Sequence, residues 1–171
     1  MKKISFRNDI LPLKNVLYRL ALRITLNHEE AEDVVQDTLI KVWNKRDDWE
    51  SIENIEAFSL TVCRNLSLDK NKRMGGSNES LEQQNLYVAS DYSSNPFEQM
   101  MQKDRVQIVR QLVNELPEKQ RSCIQLRDFE EKPYKEIASI LGISEEQVKV
   151  NIFRARQTIK QKYQEIEKYG L

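Results

Sequence analysis

The stretch Pro133–Lys162, PYKEIASILGISEEQVKVNIFRARQTIKQK, decides the fold of this 171-residue chain. It predicts two helices separated by a tight turn at Gly142, because glycine readily adopts the left-handed backbone that ends a helix. Ser144 is the predicted N-cap of the second helix, and Gln147 follows at the capping-box position. The stretch therefore predicts a helix-turn-helix motif.

The second helix of this motif has one apolar side and one cationic side. Its apolar positions recur at helical spacing and predict a buried stripe of Val148, Ile152, Ala155 and Ile159. Residues 147–164 contain five basic side chains and no acidic one. A helical hairpin with a solvated basic face is the alternative, but the turn glycine, the cap and the acid-free face together favour entry into the DNA major groove.

The bulk composition favours a soluble, helix-rich protein with one domain or two small ones. Charged residues make up 32% of the chain, which has only four glycines and four prolines. No run approaches the ~20 apolar residues of a membrane span, and the N-terminus lacks the apolar core of a signal peptide. We therefore expect a cytoplasmic protein without membrane insertion.

Catalytic and metal-binding motifs are absent from the sequence. The two cysteines, Cys63 and Cys123, lie in apolar helical patterns and are predicted to be buried free thiols. A single histidine, His28, and no cysteine pair at ligand spacing argue against a zinc site. Without a glycine-rich phosphate loop or a nucleophile–base pair, we expect no enzyme activity, no metal and no cofactor.

The net charge of zero conceals an uneven distribution. Residues 74–104 hold five acidic and one basic side chain, whereas residues 105–171 hold 13 basic and 10 acidic. Local basic faces on a neutral chain predict modest DNA affinity for the isolated protein, because each phosphate contact contributes through local counterion release.

Residues 1–73 predict three amphipathic helices. Their expected buried faces are Leu13, Leu17, Leu20 and Ile24 on the first, Ala31, Val35, Leu39 and Val42 on the second, and Ile55, Phe58, Val62 and Leu66 on the third. Asn27 is the predicted N-cap of the second helix, with Glu30 as its box partner. A polar loop, Asp47–Asn54, contains Trp49 and precedes the third helix, while Trp43 is expected to pack in the core.

The remainder of the chain predicts a linker and a second helical block. Residues 74–97 contain GGSNES and YSSNP, a composition typical of linkers. Helical spacing resumes with Ile108, Leu112 and Leu116, and no strand pattern is convincing. The predicted fold is all-α, with two small helical domains at residues 1–73 and 98–171 joined by a flexible linker at 74–97, the second domain carrying the helix-turn-helix.

Both blocks resemble one family. AEDVVQDTLIKVW (Ala31–Trp43) with AFSLTVCRNLSLDKNKR (Ala57–Arg73) resembles region 2 of a bacterial RNA polymerase sigma factor. LPEKQRSCIQLRDFEEKPYKEIASILGIS (Leu116–Ser144) with VKVNIFRAR (Val148–Arg156) resembles region 4. Short chains with only these two regions form the extracytoplasmic-function group. The resemblance implies a protein that binds core RNA polymerase, directs it to promoter DNA and helps to open the duplex, often under the control of an anti-sigma factor.

The resemblance also assigns a polymerase-binding face. On the second helix, the side opposite the predicted buried face is polar with one apolar position. In similar proteins this side meets the helical clamp of the largest polymerase subunit. Its members here are Asp33, Gln36, Asp37, Ile40 and Lys41, with Asp37 standing where glutamate is usual.

A second set of residues is expected to bind the −10 promoter element. Asn and Arg side chains can bond base edges, while Lys and Arg can bind phosphates. The loop Asp47–Asn54 is the expected pocket for an extruded base, where Trp49 either stacks on the base or packs against the protein. Asp69 alternatively holds Arg64 or the helix end. The implied −10 residues are Trp49, Arg64, Asn65, Asp69, Lys72 and Arg73.

A third set is expected to bind the −35 element through the helix-turn-helix. Phe153 either faces the major groove or packs inward. Val150 and Asn151 replace a more frequent Ser-Arg pair, so the family's promoter preference cannot be transferred. Glu131 stands where glycine is common, which leaves the local turn open to change. The implied −35 residues are Tyr134, Lys135, Lys149, Asn151, Phe153, Arg154 and Arg156.

Two other classes of protein remain alternatives. A conventional dimeric helix-turn-helix regulator would bind its operator unaided and would not need the polymerase-binding face. A helical adaptor would use its basic helix to bind an acidic protein.

Overall fold

The fold is described by a computed structural model for residues 3–73 and 96–169, with side chains from residue 104 onward in the second range. These residues form α-helices and contain no strand, which confirms the all-α prediction. The helices are α1 Lys14–Thr25, α2 His28–Asn44, α3 Ile55–Arg73, α4 Pro96–Asn114, α5 Glu118–Ile124, α6 Tyr134–Leu141 and α7 Glu145–Lys168. The predicted linker lies outside the described residues, apart from its last two positions, which belong to α4.

Short helical turns complete these elements. Phe6–Ile10 and Gln125–Phe129 form π-helical turns, and Leu11–Leu13 and Arg46–Ser51 form 3₁₀ helices. The predicted polar loop before α3 is therefore helical over much of its length. Within the ranges described, no helix is both long and apolar enough to cross a membrane.

The N-terminal domain consists of α1, α2 and α3 packed against one another. The predicted N-cap of α2 is confirmed, because the Asn27 side chain accepts a hydrogen bond from the Glu30 backbone N–H at 3.0 Å. The other half of the predicted capping box, a hydrogen bond from the Asn27 backbone N–H to the Glu30 side chain, was wrong. The Glu30 carboxylate instead lies 3.4 Å from Lys70 Nζ of α3. The cap thus fixes the start of α2, and the ion pair ties α2 to α3.

The buried face of α3 differs from the predicted one. The predicted residues Ile55, Phe58, Val62 and Leu66 are only half-buried. The fully buried stripe is Ala57, Leu60, Cys63 and Ser67. The stripe is displaced because α3 packs on α1 and α2 on one side and on α6 of the second domain on another.

The helix-turn-helix forms as predicted. Gly142 has φ 69° and its N–H donates to Ala138 O at 2.8 Å, ending α6. The Ser144 hydroxyl accepts from Gln147 N at 3.1 Å, and the Gln147 side chain accepts from Ser144 N at 3.0 Å. This complete capping box fixes the start of α7.

The two domains pack against each other. Buried apolar residues of both form one continuous cluster, through α3 against α6 and α1 against α5. Arg19 of α1 holds the Glu130 carboxylate in a bidentate pair, with both N–O distances 2.7 Å. Lys132 pairs with Glu56, also across the boundary. Apolar burial and ion pairs therefore hold the domains together in this arrangement.

Two positions with left-handed backbone provide a matched stability prediction. Glu131 has φ 58°, so the turn keeps the conformation that favours glycine although glycine is missing. We expect Glu131→Gly to raise the free energy of unfolding by about 0.5–1 kcal/mol, because relief of strain exceeds the added chain entropy. Gly142→Ala should lower it by about 1 kcal/mol. A Cβ at Gly142 would meet nothing within 4 Å, so backbone strain alone acts there. Urea midpoints that move in the same direction for both variants would contradict this explanation.

The buried thiols provide a second prediction. Cys63 and Cys123 are both free and buried, as predicted. Burial raises the pKa of Cys63 to about 12 and that of Cys123 to about 11. Because the thiolate is the reactive form, we expect iodoacetamide at pH 8 to modify neither thiol in the folded chain and both in urea. Rapid labelling of either cysteine in the native protein, measured by mass spectrometry, would contradict this prediction.

Candidate nucleic-acid and protein interfaces

The predicted protein-binding face forms one exposed surface on α2. All of its members lie on the outer side of the helix, opposite the buried Ala31, Val35 and Val42: Asp33, Gln36, Asp37, Ile40 and Lys41. Ile40 is 56% exposed and supplies the apolar centre. The arrangement provides carboxylate, amide and ammonium groups around an aliphatic side chain.

Trp43 extends this face, and the prediction that it packs in the core was wrong. Its side chain is 44% exposed, one turn after Ile40 and two turns after Gln36. Trp49 occupies the interior instead: it is buried, and its indole N–H donates to Val42 O at 2.9 Å. The helical spacing from Gln36 through Ile40 to Trp43 was the signal that could have identified it.

The Trp43 ring is held in place by its neighbours. Phe6 packs edge-on at 5.4 Å between ring centroids, and Trp49 packs likewise at 6.0 Å. The Arg46 guanidinium lies 4.5 Å from the ring centroid. An exposed aromatic side chain with this support loses little conformational entropy when it binds a partner.

The predicted −10 residues separate into two groups. Asn65, Asp69, Lys72 and Arg73 lie together on the exposed side of α3. Arg64 and Trp49 do not join them, because both are buried. Burial of Trp49 on the protein side favours the packing role over stacking on a base.

Arg64 is instead engaged by the second domain. Its guanidinium lies 2.9 Å from Glu118 Oε1 of α5, and the Arg64 side chain is only 8% exposed. The proposed partner Asp69 makes no hydrogen bond to Arg64; that contact belongs to Glu118. In the packed arrangement, Arg64 is therefore closed off from DNA.

The loop before α3 lines an open cleft. Trp49, Ile52 and Ile55 form its apolar wall, and Lys3, Asp9, Glu50 and Glu53 form its polar rim. Three of the four rim groups are carboxylates, which repel anionic groups such as phosphate.

The predicted −35 residues also separate. Lys135, Lys149, Phe153 and Arg154 are exposed around the helix-turn-helix. Tyr134 is half-buried, with the Arg127 guanidinium 4.3 Å and Lys149 Nζ 5.7 Å from its ring centroid. The inward alternative for Phe153 was wrong, since this side chain is 61% exposed.

Two of these side chains are already engaged within the protein. The Asn151 amide donates to Gln147 O at 2.8 Å within α7. Arg156 Nε donates to the Asp128 carboxylate at 3.1 Å, a hydrogen bond that raises the pKa of Arg156. Val150, not predicted as a site residue, is 45% exposed next to them on α7.

Comparisons with known proteins agree with this architecture. The family model for sigma-70 region 2 matches residues 10–75, and that for sigma-70 region 4 matches residues 107–159. The ECF RNA polymerase sigma factor SigL of Mycobacterium tuberculosis is 28% identical over 156 residues, which cover 88% of this chain and 84% of SigL. The probable RNA polymerase sigma factor RfaY of Xanthomonas campestris is 24% identical, and the match covers 91% of this chain but only 40% of RfaY.

A solved structure has the same fold. It is the sigma factor RpoE of Bartonella quintana, crystallised with the anti-sigma factor NepR, and it superposes with a TM-score of 0.72 at 26% identity over 91% of this chain and 94% of RpoE. Regions 2 and 4 are matched in order by separate helical domains, so this chain belongs to the extracytoplasmic-function group of sigma-70 family RNA polymerase sigma factors.

Proposed function

We propose that this chain is the promoter-specificity subunit of RNA polymerase, binding the core enzyme, directing it to promoters and helping to open the DNA. The observation that carries the proposal is the presence of regions 2 and 4 in one chain, with an exposed polar–apolar face on α2 and an exposed cationic face on α7. The chain would catalyse no reaction itself and would act in the cytoplasm, where polymerase and DNA are found.

The α2 face has the chemistry of a protein interface. Ile40 and Trp43 form an exposed apolar pair, with Asp33, Gln36 and Asp37 beside it. Exposed tryptophans ringed by polar groups are enriched among residues that dominate binding energy. The face supports contact with the core enzyme better than contact with DNA, because two of its polar members are carboxylates.

The −10 element would be held by α3 and the cleft before it. Asn65 offers base-edge hydrogen bonds, while Lys72 and Arg73 offer phosphate contacts. Opening the duplex costs a few kcal/mol per unstacked base, so a protein without a fuel must stabilise the extruded base. The cleft beside Trp49 is the best-suited site for that base, with the indole as a wall rather than a stacking platform.

The −35 element would be held by the helix-turn-helix. Lys149 and Arg154 extend outward from α7, and Lys135 lies at the start of α6. Each half of the promoter is then bound weakly. Joining two weak sites through the core enzyme raises the apparent affinity by ~10²–10⁴-fold.

An anti-sigma factor is a further proposed partner. RpoE, the solved relative, was crystallised with NepR bound. The proposed partner is accordingly a protein of the anti-sigma class.

Replacing Gln36 and Asp37 together by alanine tests the polymerase contact. We expect the double variant to lose capture by core RNA polymerase and to lose transcription from a library of templates with randomised promoter elements, because two central polar contacts disappear. Lys14→Ala with Asn15→Ala is the matched control, since both are exposed polar residues of the same domain.

Gel shifts without polymerase and capture by core RNA polymerase together separate the alternatives. A dimeric regulator would bind duplex DNA tightly and sequence-specifically in gel shifts without polymerase, which contradicts the proposal. A helical adaptor would fold but fail to associate with the core enzyme in its wild-type form. The proposed sigma factor should bind DNA weakly when alone, with affinity falling steeply as salt rises.

A further inference from the structure

The outward face of α7 carries two apolar side chains where a DNA-binding helix is expected to be polar. Val150 is 45% exposed and Phe153 is 61% exposed. They lie one turn apart, on the side opposite the buried Val148, Ile152 and Ala155. Neither belongs to the apolar clusters that the described residues form. Their exposure leaves an apolar surface available to a ligand.

The charges around this pair indicate which ligand it meets. Lys149 precedes Val150 and Arg154 follows Phe153, and both are exposed beside the pair. The exposed carboxylate of Glu146 lies one turn before Val150, at the N-terminal end of the helix. Cationic side chains on either side of an apolar centre fit a surface whose edges are phosphates. Nucleic acid therefore fits this face better than an apolar protein groove.

The polar residue between them contributes less than expected. Asn151 is half-buried, and its amide donates to Gln147 O at 2.8 Å. An asparagine reads adenine by presenting a free amide to the base edge. Because the Asn151 amide is held by Gln147 O, Val150 and Phe153 are the side chains at the centre of the face that are available to contact DNA.

The major groove offers one prominent apolar group to such side chains. Thymine displays a C5 methyl, whereas the other base edges present hydrogen-bond donors and acceptors there. Pressing Val or Phe against those polar edges removes water without replacing its hydrogen bonds. Contact with a thymine methyl carries no such penalty and buries apolar surface on both partners.

We propose that Val150 and Phe153 select thymine in the −35 element by packing against its C5 methyl groups. The inference rests on the proposed function and extends it to base preference. It assigns specificity to Val150, and it gives Phe153 a defined partner on the DNA.

Selection followed by removal of the methyl group tests the inference. The chain with core RNA polymerase is presented with templates randomised in the −35 element, and transcribed templates are sequenced. Thymine should be enriched at the positions contacted by α7. Replacing those thymines by deoxyuridine, which lacks only the methyl, should reduce transcription at limiting polymerase by about four-fold per methyl.

Variants identify the side chains that read the methyl. For Phe153→Ala and Val150→Ser, the ratio of activity on thymine to that on uracil templates should move toward one, while both variants still transcribe. Lys160→Ala, an exposed cation on the same helix, should lower activity on both templates equally and keep the ratio. Unchanged circular dichroism spectra would show that the variants fold.

The possible failures are distinguishable. Equal wild-type activity on thymine and uracil templates, or a ratio unchanged in both variants, overturns the inference and leaves the proposed function standing. Absence of transcripts from every template overturns the proposed function and the inference with it.

Discussion

Replacing Trp43 by alanine should weaken binding to core RNA polymerase by about 30-fold, which corresponds to ~2 kcal/mol. The indole is exposed one turn after Ile40, where it extends the α2 face. Phe6 and Arg46 already hold its orientation, so little freedom remains to be lost on binding. Truncation to alanine removes a large apolar side chain that would become buried only in the complex. Titration of labelled chain with core enzyme measures the change.

The control for this variant is another exposed aromatic residue. Tyr169 is 71% exposed at the end of α7, and Tyr169→Ala should leave the affinity for core enzyme unchanged. Because Trp43 also contacts Phe6 and Trp49, thermal unfolding must show that Trp43→Ala is folded at the assay temperature. Equal affinities for the folded Trp43 and Tyr169 variants would remove Trp43 from the interface.

The features that could be predicted from sequence are those determined by near neighbours. Gly142, Ser144 and Gln147 lie within six positions and define the turn through their own hydrogen bonds. The exposed face of α2 follows from helical periodicity for the same reason. Such features depend on local backbone geometry, which the adjacent residues fix independently of how the domains pack against each other.

The features that could not be predicted depend on distant contacts. Helical spacing along α2 could have indicated that Trp43 is exposed, but nothing local to Trp49 indicates that this side chain enters the core. The buried stripe of α3 depends on α6, which joins its packing from the other domain. Val150 became a candidate only when its exposure and the engagement of the Asn151 amide were both known.

Arg64 provides a further case of this dependence. Its position in α3 made it a candidate for −10 DNA, and its side chain is instead paired with Glu118, 54 residues later in the chain. A carboxylate of the second domain thus holds this guanidinium in the packed arrangement.

If each domain binds one promoter element, as proposed above, the packed chain is too short to reach both, and we expect the domains to separate when polymerase and promoter bind. A compact chain of this length is about 40 Å across. The −10 and −35 elements are ~85 Å apart along B-DNA, taking about 25 base pairs at 3.4 Å each. One domain on each element therefore requires α6 to leave α3 and the Arg64–Glu118 pair to break.

Energy transfer between the domains measures this separation. Fluorophores on Asn15→Cys of α1 and Gln161→Cys of α7 occupy exposed sites, and the natural thiols should remain unlabelled because both are buried. We expect high transfer in the free chain and almost none in the promoter complex. Glu118→Lys should lower transfer in the free chain by placing two cations together, and Arg64→Glu added to it should restore transfer. High energy transfer retained in an actively transcribing complex would contradict this prediction. It would show that the chain binds its promoter with the two domains still packed together.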